Sequence, residues 1–88
     1  MRLDLDIINE KGLHARASAK FVETVEAYDA QAVVAKDGME VGGDSIMGLM
    51  MLAASKGSQI TIETSGNQSQ ELAEALRELV GDFFGEGK

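Results

Sequence analysis

Leu3, Leu5 and Ile7 alternate with Arg2, Asp4 and Asp6, and a few residues later the spacing of the apolar side chains changes. A period of two presents one face of a strand to a core, whereas a period of about 3.6 presents one stripe of a helix. A chain that keeps switching between the two must pack helices on a sheet. From Ala15 to Tyr28 the residues Ala17, Phe21, Val25 and Tyr28 share a helical face with Val22 beside them, and Lys20, Glu23 and Glu26 take the wetter side. Gln31 to Lys36 is a β-type run, Asp37-Gly38 is a two-residue hairpin turn, and Met39-Glu40-Val41 returns until Gly42-Gly43-Asp44 breaks it. Ser45 to Lys56 predicts a second helix with Ser45 or Asp44 as N-cap and Gly57 as C-cap. Gln59 to Thr64 alternates and is β-branched, which predicts a fourth strand. Leu72, Ala75, Leu76, Leu79, Val80 and Phe83 follow helical spacing, with Asn67 and Gln70 spaced as a capping box. Gly85 to Lys88 reads as a frayed tail. The order strand, helix, strand, strand, helix, strand, helix predicts an α+β fold with helices on one face of an antiparallel sheet.

The 88 residues fit a single domain over 1–88. Without cysteine there is neither a disulfide nor a thiolate metal site, and one histidine leaves no transition-metal cluster to expect. The formal charge of −7 repels nucleic acid and anionic membrane surfaces. Asp4 and Asp6 interrupt any apolar run at the N-terminus, and no stretch is long enough to span a bilayer, so the expected compartment is the cytoplasm.

The only histidine, His14, falls where the Asn9-Glu10-Lys11-Gly12 loop ends and the first helix begins. The first amides of a helix lack intrahelical partners and attract anions, here the backbone of Ala15, Arg16 and Ala17. Arg16 adds a guanidinium in the same turn. An imidazole is a nucleophile near neutral pH, and free amides with an arginine suit the oxygens of a phosphoryl group in transfer. By spacing alone, the same residues also suit a surface histidine capping a helix beside an ordinary arginine.

Gly12-Leu13-His14-Ala15-Arg16-Ala17 resembles the phosphorylation-site segment of the HPr family, the histidine-containing phosphocarriers of bacterial phosphoenolpyruvate-dependent phosphotransferase systems. Ser45-Ile46-Met47-Gly48-Leu49-Met50 resembles the family's regulatory-serine helix, and Lys56-Gly57 with Gln59 to Ile62 also matches in place. The resemblance covers essentially the whole chain. It implies an open-faced β-sandwich of order βαββαβα, with a four-stranded antiparallel sheet and three helices on one face. It implies that enzyme I phosphorylates His14 at Nδ1, that Arg16 stabilises the phosphate, and that IIA-type proteins receive it. The chain would then be a stoichiometric, monomeric carrier with no cofactor, no bound metal and no turnover of its own. Ala17 stands where the family usually has proline, which leaves the loop-to-helix junction less fixed.

Ile46, Met47, Leu49, Met50, Met51 and Leu52 make the second helix apolar on nearly every side. Leu49, Leu52 and Ala53 read as core. Ile46, Met47 and Met50 read as a partner-docking face on the strength of the resemblance, and methionine suits a surface that adapts to several partners. Ser45 is either a helix cap alone or, as in part of the family, a target of an HPr kinase/phosphorylase. An alternative function is a regulatory module that docks through this helix without carrying phosphate. Met51 to Gly57 is similar to the nitrogen-related branch of the family and Ser45 to Gly48 to the sugar branch, so the branch stays open.

Overall fold

A computed structural model describes residues 1–88. The elements run β1 (Arg2–Asp6), α1 (Ala15–Glu26), β2 (Gln31–Lys36), β3 (Met39–Gly42), α2 (Ile46–Met51), β4 (Gln59–Ser65) and α3 (Ser69–Gly81), followed by a single 3₁₀ turn at Phe83–Gly85. Every strand pairing is antiparallel, and the sheet order is β1-β4-β2-β3. The α+β architecture and the βαββαβα order are those expected from the periodicity.

One apolar cluster joins the sheet to the helices. Leu3, Val34, Ile60 and Ile62 come from the inner face of the sheet, Phe21, Val22 and Val25 from α1, Leu49 from α2, and Leu72, Leu76 and Val80 from α3. Alternation fixes the register: Leu3 lies opposite Ile62, and Val34 lies opposite Ile62 on the other side. Asp37 and Gly38 both take positive φ, 52° and 83°, as a tight two-residue hairpin requires.

Five local expectations need correction. The second helix stops at Met51 with Leu52 as its C-cap, instead of running to Lys56. Ala53 turns left-handed at φ 52°, so Ala54 becomes buried and Ala53 exposed, the reverse of the expected core. Gly57 does not cap α2; its amide donates to the Ile7 carbonyl at 2.8 Å and so leads the chain into β4. The Asn67–Gln70 capping box does not form: Gln68 occupies the N-cap without a side-chain bond to the helix, and Asn67 donates to Asp29 at 2.9 Å. Finally, Phe84 and not Phe83 enters the core, and the tail beyond it is tied down.

Loop 7–14 is held against the segment after α2. The Leu13 amide donates to the Ala54 carbonyl at 2.9 Å, and Gly12 sits at φ 62°. A Cβ at Gly12 would lie 2.2 Å from that same carbonyl oxygen. Backbone on both sides leaves nowhere to yield, so Gly12→Ala is expected to lower stability by about 2–4 kcal/mol through left-handed strain plus overpacking. The midpoint of urea unfolding checks this.

Candidate phosphoryl site at the start of the first helix

His14 is the N-cap of α1, with extended backbone at φ −77° and ψ −177°. Its Nδ1 accepts from the Arg16 amide at 3.3 Å, and its Nε2 meets Oε2 of Glu86. An amide can only donate and a carboxylate can only accept, so the neutral ring carries its proton on Nε2 and its lone pair on Nδ1. The side chain is 27% exposed, which leaves the ring approachable although both its nitrogens are engaged.

The amides expected to receive phosphate are not equivalent. Ala15 and Arg16 are exposed, but Ala17 is fully buried, so its N–H is closed to an incoming group. The Arg16 amide already points at Nδ1, where a phosphoryl group would form its bond. Ser18 is buried and returns its hydroxyl to the Leu13 carbonyl at 3.2 Å, which secures the first turn without proline at position 17.

Glu86 had no functional role on sequence grounds, because the tail read as frayed. The chain instead doubles back after α3. Phe83, Phe84 and Gly85 all take positive φ, at 56°, 53° and 76°, and Phe84 buries its ring completely. Left-handed conformations in two phenylalanines are costly, and burial of a large aromatic ring offsets them. Lys20 of α1 donates to the Phe84 carbonyl at 2.7 Å, pinning the turn to the helix that starts at His14. Glu86 follows, with its side chain only 12% exposed. Its Oε1 accepts from Asn9 Nδ2 at 3.1 Å, and the same amide nitrogen donates to the Gly12 carbonyl at 2.9 Å.

Beside this cluster, Glu10, Lys11, Arg16, Gly85, Glu86 and Lys88 line an open polar recess of about 240 Å³. The cations Lys11, Arg16 and Lys88 therefore gather at the end of the molecule where His14 lies. The acidic excess is spread elsewhere, with Glu71, Glu74, Glu78 and Asp82 on and just after α3 and Asp4, Asp6 and Glu63 on the outer sheet face. A net charge of −7 thus coexists with a cationic rim suited to an anion.

Burial is the largest influence on the Glu86 carboxyl and pushes its pKa up. The hydrogen bonds from Asn9 and His14, with the charges of His14 and Lys11, together outweigh it and hold the group below its ordinary value near 4.5. A depressed carboxyl pKa stabilises the docked tail above the ordinary value, and that stabilisation is lost as pH falls through the lower, folded-state value. The tail is expected to stay docked at neutral pH and to release below about pH 4.5. Titration of the Glu86 side-chain carboxyl carbon by NMR, followed with amide exchange at Gly85 and Glu86, checks both the direction and the coupling.

On α2, Ser45 accepts from the Gly48 amide at 3.0 Å and is the N-cap. Ile46, Met47, Met50 and Met51 are exposed, Met47 by 75%, while Leu49 is buried. The helix is therefore anchored by one face and presents methionines outward. It packs beside α1, close to the loop that carries His14.

Comparison with known proteins decides the family. A family model described as PTS HPr component phosphorylation site matches residues 2–82. The chain belongs to the HPr family. Phosphocarrier protein HPr of Neisseria meningitidis serogroup A is 47% identical over 88 residues, covering 100% of this chain and 99% of that one. The protein of the same description from Cupriavidus necator is 46% identical with the same coverage. The crystal structure of HPr-C-His from Thermoanaerobacter tengcongensis superposes with a TM-score of 0.93 at 37% identity, covering 98% of this chain and 97% of that one. The fold is thus that of HPr structures, and the chain is an HPr-family phosphocarrier of the phosphotransferase system. Glu86 lies beyond the span the family model matches.

Proposed function

We propose that this chain accepts a phosphoryl group from phospho-enzyme I on Nδ1 of His14 and delivers it to IIA-type acceptor proteins. The observation that carries the reading is the histidine's polarity: Nε2 is taken by a carboxylate, and Nδ1 faces a helix-start amide. Nucleophile and anion-holding groups are therefore already in register. The Arg16 guanidinium and the exposed Ala15 amide hold the equatorial oxygens, joined by the Arg16 amide once the new bond takes its Nδ1 acceptor, with Lys11 and Lys88 raising the local concentration of the anionic donor site. Membership of a phosphocarrier family supports a stoichiometric role, in which residues 1–88 act as one monomeric unit that catalyses no turnover of its own. The cytoplasm is the compartment this reading implies, in either the sugar-transport or the nitrogen-related branch.

Ile46, Met47 and Met50 serve in this reading as the surface that both partners grip in turn. Ser45 is a candidate for modification by an HPr kinase/phosphorylase, since the residue is half-exposed at the edge of that surface. The exposed methionines also favour a second reading, a regulatory module that docks without carrying phosphate. Incubation with phosphoenolpyruvate and enzyme I, read by intact mass and chased with a IIA protein, separates the two. Carrier function gives one acid-labile phosphoryl group that the chase removes. An unmodified mass with enzyme I from the same organism leaves the docking module.

A further inference from the structure

All five methionines of the chain are exposed, and none fills the core. Methionine ordinarily packs irregular gaps in a core, so its placement here needs another account. Three of the five, Met47, Met50 and Met51, stand close together on α2. At about 100° per residue, Ile46, Met50, Met47 and Met51 follow one another around an arc of roughly 140°, while Leu49 and Leu52 lie opposite and are buried. Gly48 lets the helix press on β3: a Cβ there would lie 3.0 Å from Cβ of Val41. None of these anchors carries sulfur, whereas the outward arc carries three thioethers. The chain has no cysteine, so its sulfur chemistry is that of methionine alone. Met47 and Met51, one turn apart on the same stripe, are 75% and 65% exposed, against 44% for Met50, 49% for Met1 and 43% for Met39. They are the two methionines that an oxidant in solution meets most freely.

We propose that Met47 and Met51 form a reversible oxidation site that switches partner docking off, which rests on the reading of the outward face of α2 as the surface that enzyme I and IIA proteins grip. Met51 extends that surface by its place beside Met47 on the same arc. The oxidant is a hydroperoxide, in the simplest case hydrogen peroxide. A lone pair of the thioether sulfur attacks one peroxide oxygen, and the S–O bond forms as the O–O bond breaks. The departing hydroxide takes the proton from the transferred oxygen, so methionine and hydrogen peroxide give methionine sulfoxide and water. Sulfur is oxidised and the peroxide is reduced. Reversal belongs to the methionine sulfoxide reductases, which remove the oxygen as water while a dithiol becomes a disulfide. Each sulfoxide puts a polar, stiffer group where a partner meets a flexible apolar side chain. Docking then buries that acceptor without a donor or leaves a gap around it. Leu49 and Leu52 keep the helix in place, so the chain stays folded and His14 stays intact. The effect is confined to encounter: KM rises, and the capacity of His14 to take phosphate does not change.

In the test, the full-length chain is treated with hydrogen peroxide until peptide mass mapping shows one oxygen on each of Met47 and Met51. Phosphorylation by enzyme I and phosphoenolpyruvate is then followed against chain concentration. KM for the oxidised chain is expected to rise about tenfold or more, the factor that one unpaired buried polar group commonly costs. The endpoint should stay at one phosphoryl group per chain, and the midpoint of urea unfolding should not move. Both sulfoxide reductases with dithiothreitol should bring KM back, which damage to His14 or to the fold would not allow. Met47→Leu/Met51→Leu, which conserves volume, is compared with itself before and after peroxide, and its KM should be insensitive to the treatment. Met39→Leu should respond to peroxide as the parent does. Oxidation of Met1, Met39 or Met50 ahead of Met47 and Met51, an unchanged KM with both sulfoxides mapped, or an equal rise in the double variant overturns the switch and leaves the carrier reading standing. A parent chain that takes no phosphate before any peroxide is added overturns both.

Discussion

His14→Ala is expected to abolish phosphoryl uptake completely while the chain stays folded. The imidazole is the sole histidine, and no cysteine is present to substitute as a nucleophile. The fold has little to lose. As N-cap the ring accepts a single bond, from the Arg16 amide at 3.3 Å, so the expected destabilisation is about 1 kcal/mol or less. Intact mass after incubation with enzyme I and phosphoenolpyruvate reads the first part, and urea unfolding reads the second. Retained phosphorylation of the variant would place the acceptor elsewhere.

Phe84→Ala is expected to have the opposite profile, a large loss of stability with the nucleophile untouched. The ring is fully buried, and removing it leaves a cavity as well as lost transfer energy, together about 3–5 kcal/mol. That is a major share of the roughly 5–10 kcal/mol available to a domain of this size. The effect should also reach His14. Burial of the second ring offsets the left-handed backbone of Phe83 and Phe84, and without it the contacts of Lys20 with the Phe84 carbonyl and of Asn9 with Glu86 hold the tail more weakly at Nε2. The unfolding midpoint in urea should fall sharply, and amide exchange at Glu86 should rise under conditions where α1 remains protected. A midpoint within about 1 kcal/mol of the parent would show that the tail is not part of the core.

Much of this was legible in the sequence, for local reasons. Alternation in Arg2 to Ile7 and in Gln59 to Thr64, and helical spacing from Ala17 to Val25, are properties of neighbouring residues. So is the Asp37-Gly38 turn, whose two positive φ angles its residues tolerate. His14 and Arg16 at a helix start were readable because capping chemistry acts within one turn. The missed features depend on contacts that sequence spacing does not display. The early end of α2 turns on a left-handed alanine at position 53, and nothing in an alanine announces that conformation. Helical spacing pointed to Phe83, but the reversal of the backbone puts Phe84 inside instead. Glu86 meets His14 across 72 residues of chain, and a Gly-Glu-Gly-Lys ending has every local sign of fraying. One clue was present: two phenylalanines side by side just before that ending are too apolar for a segment left in water.

The central claim concerns one atom, Nδ1 of His14, with Nε2 kept protonated by Glu86. Nitrogen-15 NMR of the histidine ring in the phosphorylated chain, with phosphorus coupling resolved, tests it most directly. The account predicts phosphorus bonded to Nδ1 and a proton on Nε2. Phosphorus on Nε2, or on a side chain such as Ser45 with the ring unmodified, would contradict it.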